Sequence, residues 1–161
     1  MKMSDEVREV INNNIVHLAT SSRDGKPNVV PVGLCRAISD HELLIVDVFF
    51  KKTRKNLEEN PQVAIAVEAL EELKAYQLKG EARIFTQGEF YEKALEIMKE
   101  QDKVREERVS VWKEKRPEMA ERFEKLVASH RKLRPKAAVL VDVEEIYSTM
   151  RGVIKNGQDY I

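Results

Sequence analysis

Residues 42–55 read Glu42-Leu43-Leu44-Ile45-Val46-Asp47-Val48-Phe49-Phe50-Lys51-Lys52-Thr53-Arg54-Lys55. The first part is an almost continuous apolar run, which predicts a β-strand buried on both faces. Such burial occurs where a sheet curls and its second face also meets a helix or a partner subunit. Asp47 interrupts the run, and a buried carboxylate requires an amide donor or a nearby base.

The basic turn that follows the strand predicts an anion site. We expect it to open a short helix over residues 56–60, which Pro61 ends. The first amides of a helix lack intrahelical partners and carry the positive end of the helix dipole, so an anion fits there. The turn adds charges and a hydroxyl donor from Lys52, Thr53, Arg54 and Lys55. The same run also fits an ordinary solvated turn, and residue spacing alone leaves both interpretations open.

The composition limits the classes of function. A chain of 161 residues suits one domain, and its 28 basic residues balance 28 acidic ones. Zero net charge argues against nucleic acid as a partner. Cys35 is the only cysteine and the three histidines show no metal-ligand spacing, so neither a disulfide nor a metal site is expected. Without a signal-like start or a long apolar segment, we expect a soluble, cytoplasmic protein with no membrane contact.

Periodicity predicts mainly β structure with helices. A helix capped by Ser4 begins the chain, and Asp24-Gly25 forms a hairpin turn. The predicted strands cover residues 15–21, 27–38, 43–50, 62–67, 76–84 and 137–143. A charged helical excursion over about residues 89–134 separates the last strand from the rest.

Two residues within these strands need a structural reason. Arg36 lies on an apolar face, where we expect it to reach solvent or to pair with a carboxylate such as Asp47. Gly80 lies in mid-strand, which predicts a bend, a bulge or a close backbone approach.

The sequence contains no motif that predicts catalysis by its own side chains. It has no nucleophile elbow, no glycine-rich dinucleotide loop and no P-loop lysine motif. Cys35 is interpreted as a small buried residue rather than a reactive thiol. Redox chemistry would therefore have to come from a cofactor.

Several segments in order resemble the pyridoxamine 5'-phosphate oxidase-like family of FMN-binding split β-barrels. These segments are residues 15–20, Asp24-Gly25-Lys26-Pro27, residues 28–33, residues 52–61 and Lys79-Gly80-Glu81-Ala82. The resemblance implies an α+β fold for residues 1–161 as one domain. The expected architecture is a six-stranded antiparallel split β-barrel of Greek-key type, with the helical insertion before the last strand.

The resemblance also implies a homodimer with FMN in a groove between the subunits, where a partner would cover the second apolar face of the long strand. The phosphate would be held by Lys52, Thr53, Arg54 and Lys55. The isoalloxazine would lie along the backbone of Pro31, Val32 and Gly33. The ribityl chain and ring would lie over Asp47, Val48 and Phe49.

Departures from the family pattern narrow the expected function. The arginine-rich substrate site of true pyridoxamine phosphate oxidases is represented here only by Arg151, so small FMN-binding or flavin reductase-like members resemble the chain better. We expect electrons or hydride to pass between a nicotinamide or deazaflavin donor and an unknown small-molecule acceptor, with no catalytic side chain identified. The alternative is a noncatalytic module that binds FMN or another phosphorylated ligand, or only dimerises.

Overall fold

A computed structural model describes residues 1–130 and 133–149, without the side chains of Val127 and His130. The helices are α1 (Asp5–Asn13), α2 (Lys52–Glu59), α3 (Glu89–Lys115) and α4 (Pro117–His130), with a 3-10 turn at Leu70–Glu72. The strands are β1 (Val16–Ser21), β2 (Pro27–Val32), β3 (Cys35–Ala37), β4 (Glu42–Asp47), β5 (Gln62–Ala69), β6 (Lys74–Phe85) and β7 (Ala137–Ser148).

The strands form one curled antiparallel sheet in the order β2-β1-β5-β6-β7-β4-β3, which confirms the α+β class and the helical insertion before the last strand. The sheet has seven strands rather than the six expected. The difference arises because the strand predicted over residues 27–38 is two strands. β2 pairs with β1 at one edge of the sheet, whereas β3 pairs with β4 at the other, and the chain crosses between them at residues 33–34.

β4 is buried on both faces, as the sequence predicts. Leu43 and Ile45 belong to the main core, which lies inside the curl of the sheet. Leu44 and Val46 face the other way and pack in a second cluster with α3. The second face of β4 is therefore covered by a helix of the same chain, so its burial needs no partner subunit.

α1 packs on the main core. It begins at Asp5 as predicted, and the Ser4 hydroxyl accepts a hydrogen bond from the amide of Val7 at 3.3 Å. Its buried stripe consists of Val7, Val10 and Ile11. Within residues 1–130 and 133–149, no helix is both long and apolar enough to cross a membrane.

The structure confirms two of the features predicted at Gly80, a bulge and a close approach of the neighbouring backbone. The register of β6 against β7 shifts between Lys79 and Gly80. A Cβ atom added at Gly80 would lie 2.0 Å from the carbonyl oxygen of Asp142. Because that oxygen belongs to the backbone of a central strand, only local distortion of β7 could make room for a side chain.

We predict that Gly80→Ala lowers the free energy of unfolding by about 2 kcal/mol or more, as expected for an overpacked interior site. Urea denaturation at fixed pH measures this change. Gly33→Ala is the matched control, because nothing lies within 4 Å of a Cβ added there. Equal stability of the two variants would show that the backbone of β7 moves aside at the bulge without a cost in the free energy of unfolding.

Candidate functional site

A cavity of about 420 Å³ opens where β2, β4, the start of α2 and α3 meet. Most of its wall is apolar, and its polar residues come from the start of α2, from Asn28 of β2 and from Arg105 of α3. Its described lining comprises Asn28, Val30, Pro31, Val32, Gly33, Leu34, Val46, Val48, Phe49, Phe50, Lys51, Lys52, Thr53, Met98, Arg105 and Leu133.

The helix at the polar end starts earlier than the sequence suggested. α2 begins at Lys52 rather than at residue 56, and the amide of Lys55 donates to the carbonyl of Lys51 at 3.1 Å. The residues predicted as a turn are thus the first helical turn itself. No side chain of the described residues caps this end, so its first amides are available to an external acceptor.

Thr53 lies in a buried polar cluster behind this helix start. The side-chain nitrogen Nδ2 of Asn28 donates to the Thr53 hydroxyl oxygen at 3.1 Å and to the Thr20 hydroxyl oxygen at 3.2 Å. Asn56 donates to the same Thr20 oxygen at 3.1 Å. With its oxygen accepting from Asn28, the Thr53 hydroxyl keeps its proton to donate elsewhere.

Asp47 and Arg54 form an ion pair beneath the loop after β4. Asp47 is 1% exposed, and its carboxylate accepts hydrogen bonds from the Phe50 amide at 2.9 Å and from the Arg54 guanidinium. Arg36, proposed as a partner of Asp47, instead donates to Gln101 of α3 at 2.9 Å. The ion pair ties the start of α2 to the end of β4.

The structure brings most of the predicted site residues together. The cavity is lined by Pro31, Val32, Gly33, Val48, Phe49, Lys52 and Thr53. Asp47, Arg54 and Lys55 do not line it, since Arg54 turns to Asp47 and Lys55 lies 3.7 Å from Glu59 on the exposed side of α2. Arg151 lies outside the described residues.

Sequence reasoning missed Asn28 and Arg105 as lining residues. Asn28 alternates with the predicted inward residues Val30 and Val32, so strand periodicity was an available signal. Arg105 follows Met98 by seven residues on α3, which places both on one helix face. That period was visible, but nothing in the sequence showed that this face borders a cavity.

The described charged residues that line the cavity all have one sign. Among its described lining residues only Lys51, Lys52 and Arg105 are charged, although the whole chain is neutral. The described lining contains no carboxylate, histidine, cysteine or tyrosine. Cys35 lies apart at 1% exposure, and burial raises the pKa of its thiol to about 12, which makes it a poor nucleophile.

Comparison with known proteins places this geometry in a family. The sequence profile named pyridoxamine 5'-phosphate oxidase matches residues 3–150. The chain belongs to this family. An uncharacterized family relative from Methanocaldococcus jannaschii is 31% identical over 154 residues, which covers 94% of this chain and 84% of that protein.

Solved structures share the family fold. HupZ of Group A Streptococcus is 26% identical, with a TM-score of 0.66 over 93% of this chain and 96% of HupZ. An FMN-binding protein from Syntrophomonas wolfei is 16% identical, with a TM-score of 0.63 over 92% of this chain and 85% of that chain. The heme storage protein HutZ of Vibrio cholerae is 18% identical, with a TM-score of 0.54 over 93% of this chain and 97% of its own. At 16% and 18% identity, the last two show the fold alone.

We predict that Arg54→Met lowers the free energy of unfolding by about 3 to 5 kcal/mol, because it leaves the Asp47 carboxylate buried without its partner. Urea unfolding at pH 7 measures the effect. The adjacent Lys55→Met is the control and should be indistinguishable from the natural protein, since its ion pair is exposed. Identical stability of both variants would mean that water replaces Arg54 at little cost.

Proposed function

We propose that the protein binds FMN noncovalently in this cavity, with the phosphate at the start of α2. The observation that carries the proposal is an uncapped helix start, bearing Lys52 and the Thr53 hydroxyl, at one end of a largely apolar cavity. A dianionic phosphate joined to a flat apolar ring system matches both ends of such a cavity.

The residues present fit the cofactor. The helix amides, the Thr53 proton and the Lys52 ammonium are donors suited to phosphate oxygens. Pro31, Val32, Gly33, Val48 and Phe49 would contact the ring system along the aliphatic wall. A volume of about 420 Å³ lies within the ~300 to 1,000 Å³ typical of small-molecule sites.

Heme is a rival ligand, because the structurally similar protein from Vibrio cholerae is named as a heme storage protein. The side chains that line the cavity favour flavin over heme. Heme iron is held by histidine, cysteinate, methionine or tyrosinate. Among the described lining residues only Met98 offers such an atom. The described lining thus offers a single possible iron ligand, and this is the observation that favours FMN.

The proposed activity is electron or hydride transfer between a reduced nicotinamide or deazaflavin donor and an unidentified acceptor. FMN supplies the redox chemistry when bound, because the described lining offers only Lys and Arg as ionisable groups. The chain supplies position, an apolar wall that excludes water and positive charge that favours an anionic reduced flavin.

A noncatalytic FMN carrier is the second candidate. The observation in its favour is the same lack of a general acid or base among the described lining residues. Anaerobic mixing of the FMN-loaded protein with NADH, NADPH or a reduced deazaflavin separates the candidates. Bleaching of the flavin absorption by any donor supports transfer, and an unchanged spectrum with all three supports storage.

We predict that replacing Lys52 and Thr53 together with alanine weakens FMN binding by about 2 to 4 kcal/mol, since two phosphate contacts are lost. Flavin fluorescence titration measures the dissociation constant. Riboflavin, which lacks the phosphate, should bind the variant and the natural protein alike. Lys115→Ala removes one charge at the far end of α3 and should leave FMN binding unchanged.

The FMN proposal fails if the purified protein is colourless and takes up no added FMN. The position of the phosphate is wrong if the folded double variant binds FMN as tightly as the natural protein does. A loss of riboflavin affinity equal to the loss of FMN affinity would instead show that the two residues hold the shape of the cavity.

We propose that the protein acts as a homodimer whose second copy covers the mouth of the cavity. Edge strand β2 carries four of the residues that line the cavity, and its Val29 is 64% exposed. An exposed apolar side chain on an edge strand beside a site suits a surface that another protein covers.

We predict that Val29→Glu converts a dimer into a monomer, because it introduces a charge into an apolar interface. Light scattering should give about twice 18.6 kDa for the natural chain and one chain mass for the variant. Val111→Glu places the same charge at a residue of α3 that is 52% exposed, and it should remain dimeric. A monomeric natural protein would refute the assembly.

A further inference from the structure

One face of α3 packs against the sheet near the start of the helix and lines the cavity further along. Ala94 and Ile97 are buried against β4 and β7 in the second hydrophobic cluster. Further along the same face, Met98 and Arg105 line the cavity. The helix thus runs from a core contact into the cavity wall, about 16 Å from Ala94 to Arg105 at 1.5 Å per residue.

One hydrogen bond ties this part of α3 to the sheet, and a second, within the helix, orients Arg105. Gln101, between Met98 and Arg105, accepts a hydrogen bond from the Arg36 guanidinium of β3 at 2.9 Å. Asp102 accepts one from Nη1 of Arg105 at 3.2 Å. The Arg105 side chain is only 25% exposed, so it is kept at the cavity rather than extended into solvent.

The Arg105 guanidinium has N–H donors that the contact with Asp102 does not use. A guanidinium carries five N–H donors in a planar fork, and the contact with Asp102 uses one nitrogen. Asp102 itself does not line the cavity, and no carboxylate appears in the described lining. Asp102 pairs with Arg105 from outside the cavity, and the remaining N–H donors of the guanidinium are left for a ligand on the cavity side.

The proposed phosphate site does not explain this charge. That site is formed at the start of α2, where Lys51, Lys52 and Thr53 meet the cavity. Arg105 comes from a different element, inserted between β6 and β7. A single phosphate at a helix start is matched by the lysines there, which leaves Arg105 for a second anion.

We propose that Arg105 forms a second anion subsite, which binds the carboxylate or phosphate of the small molecule that exchanges electrons with the flavin. The inference rests on the proposed FMN function and adds the class of reactant, an anionic one. Arg105 is then a specificity-determining residue, since its planar fork pairs with two oxygens of one anionic group.

The test compares nicotinate with nicotinamide, which share a ring but differ in charge at pH 7. Each is titrated into the FMN-loaded protein, and binding is followed by the change in the visible spectrum of the flavin. We expect the natural protein to bind nicotinate about tenfold more tightly or better, as for a charge-assisted hydrogen bond. Arg105→Gln should abolish this preference while leaving the FMN dissociation constant unchanged.

Two further variants make the assignment specific. Arg108→Gln removes the same charge three residues along α3, where the side chain is exposed and does not line the cavity, so the preference for nicotinate should persist. Arg105→Lys keeps the charge but loses the fork, and it should retain only part of the preference.

Failure of this inference and failure of the FMN proposal give different results. If FMN binds but the natural protein does not prefer nicotinate, or takes up neither probe, the second subsite is refuted. If Arg105→Gln weakens FMN itself, Arg105 belongs to the flavin site. If FMN does not bind, calorimetric titration of nicotinate into the flavin-free protein still tests Arg105, and equal heats for natural and variant protein refute the subsite.

Discussion

Burial of both faces of β4 is the constraint on which the rest of the structure depends. An antiparallel sheet can leave one face in water, but the run from Leu43 to Val46 has no polar side to expose. The curl of the sheet covers one face, and α3 covers the other. The helical insertion before β7 is therefore a structural element of the core, and its position follows from the apolar strand.

The end of the same strand determines where the cavity lies. Asp47 is the last residue of β4, and its buried carboxylate holds the Phe50 amide and the Arg54 side chain. The amide of Lys136 also donates to the Asp47 carbonyl at 2.7 Å, which brings the start of β7 to the same point. Since a buried charge without partners is costly, these contacts fix the loop and the first turn of α2 relative to the sheet.

Much of the fold could be predicted because local patterns have local causes. The apolar run of β4, the cap at Ser4 and the Asp24-Gly25 turn, where Gly25 has φ +82°, each follow from neighbouring residues. The break between β2 and β3 could not be predicted, since alternation continues through residues 33–34 while the pairing strand changes. The pairing of Arg54 with Asp47 and the position of Arg105 at the cavity could not be predicted for a related reason, because both depend on how distant elements pack together.

The course of α3 separates two roles along one helix. Ala94 and Ile97 pack against β4 and β7, Met98 takes part in both that packing and the cavity wall, and Arg105 belongs to the cavity wall alone. Such a division allows selectivity to diverge by substitution in the outer half of the helix while the sheet stays unchanged. Substitution at position 105 would change the ligand that the cavity accepts without disturbing the contacts that fold the sheet.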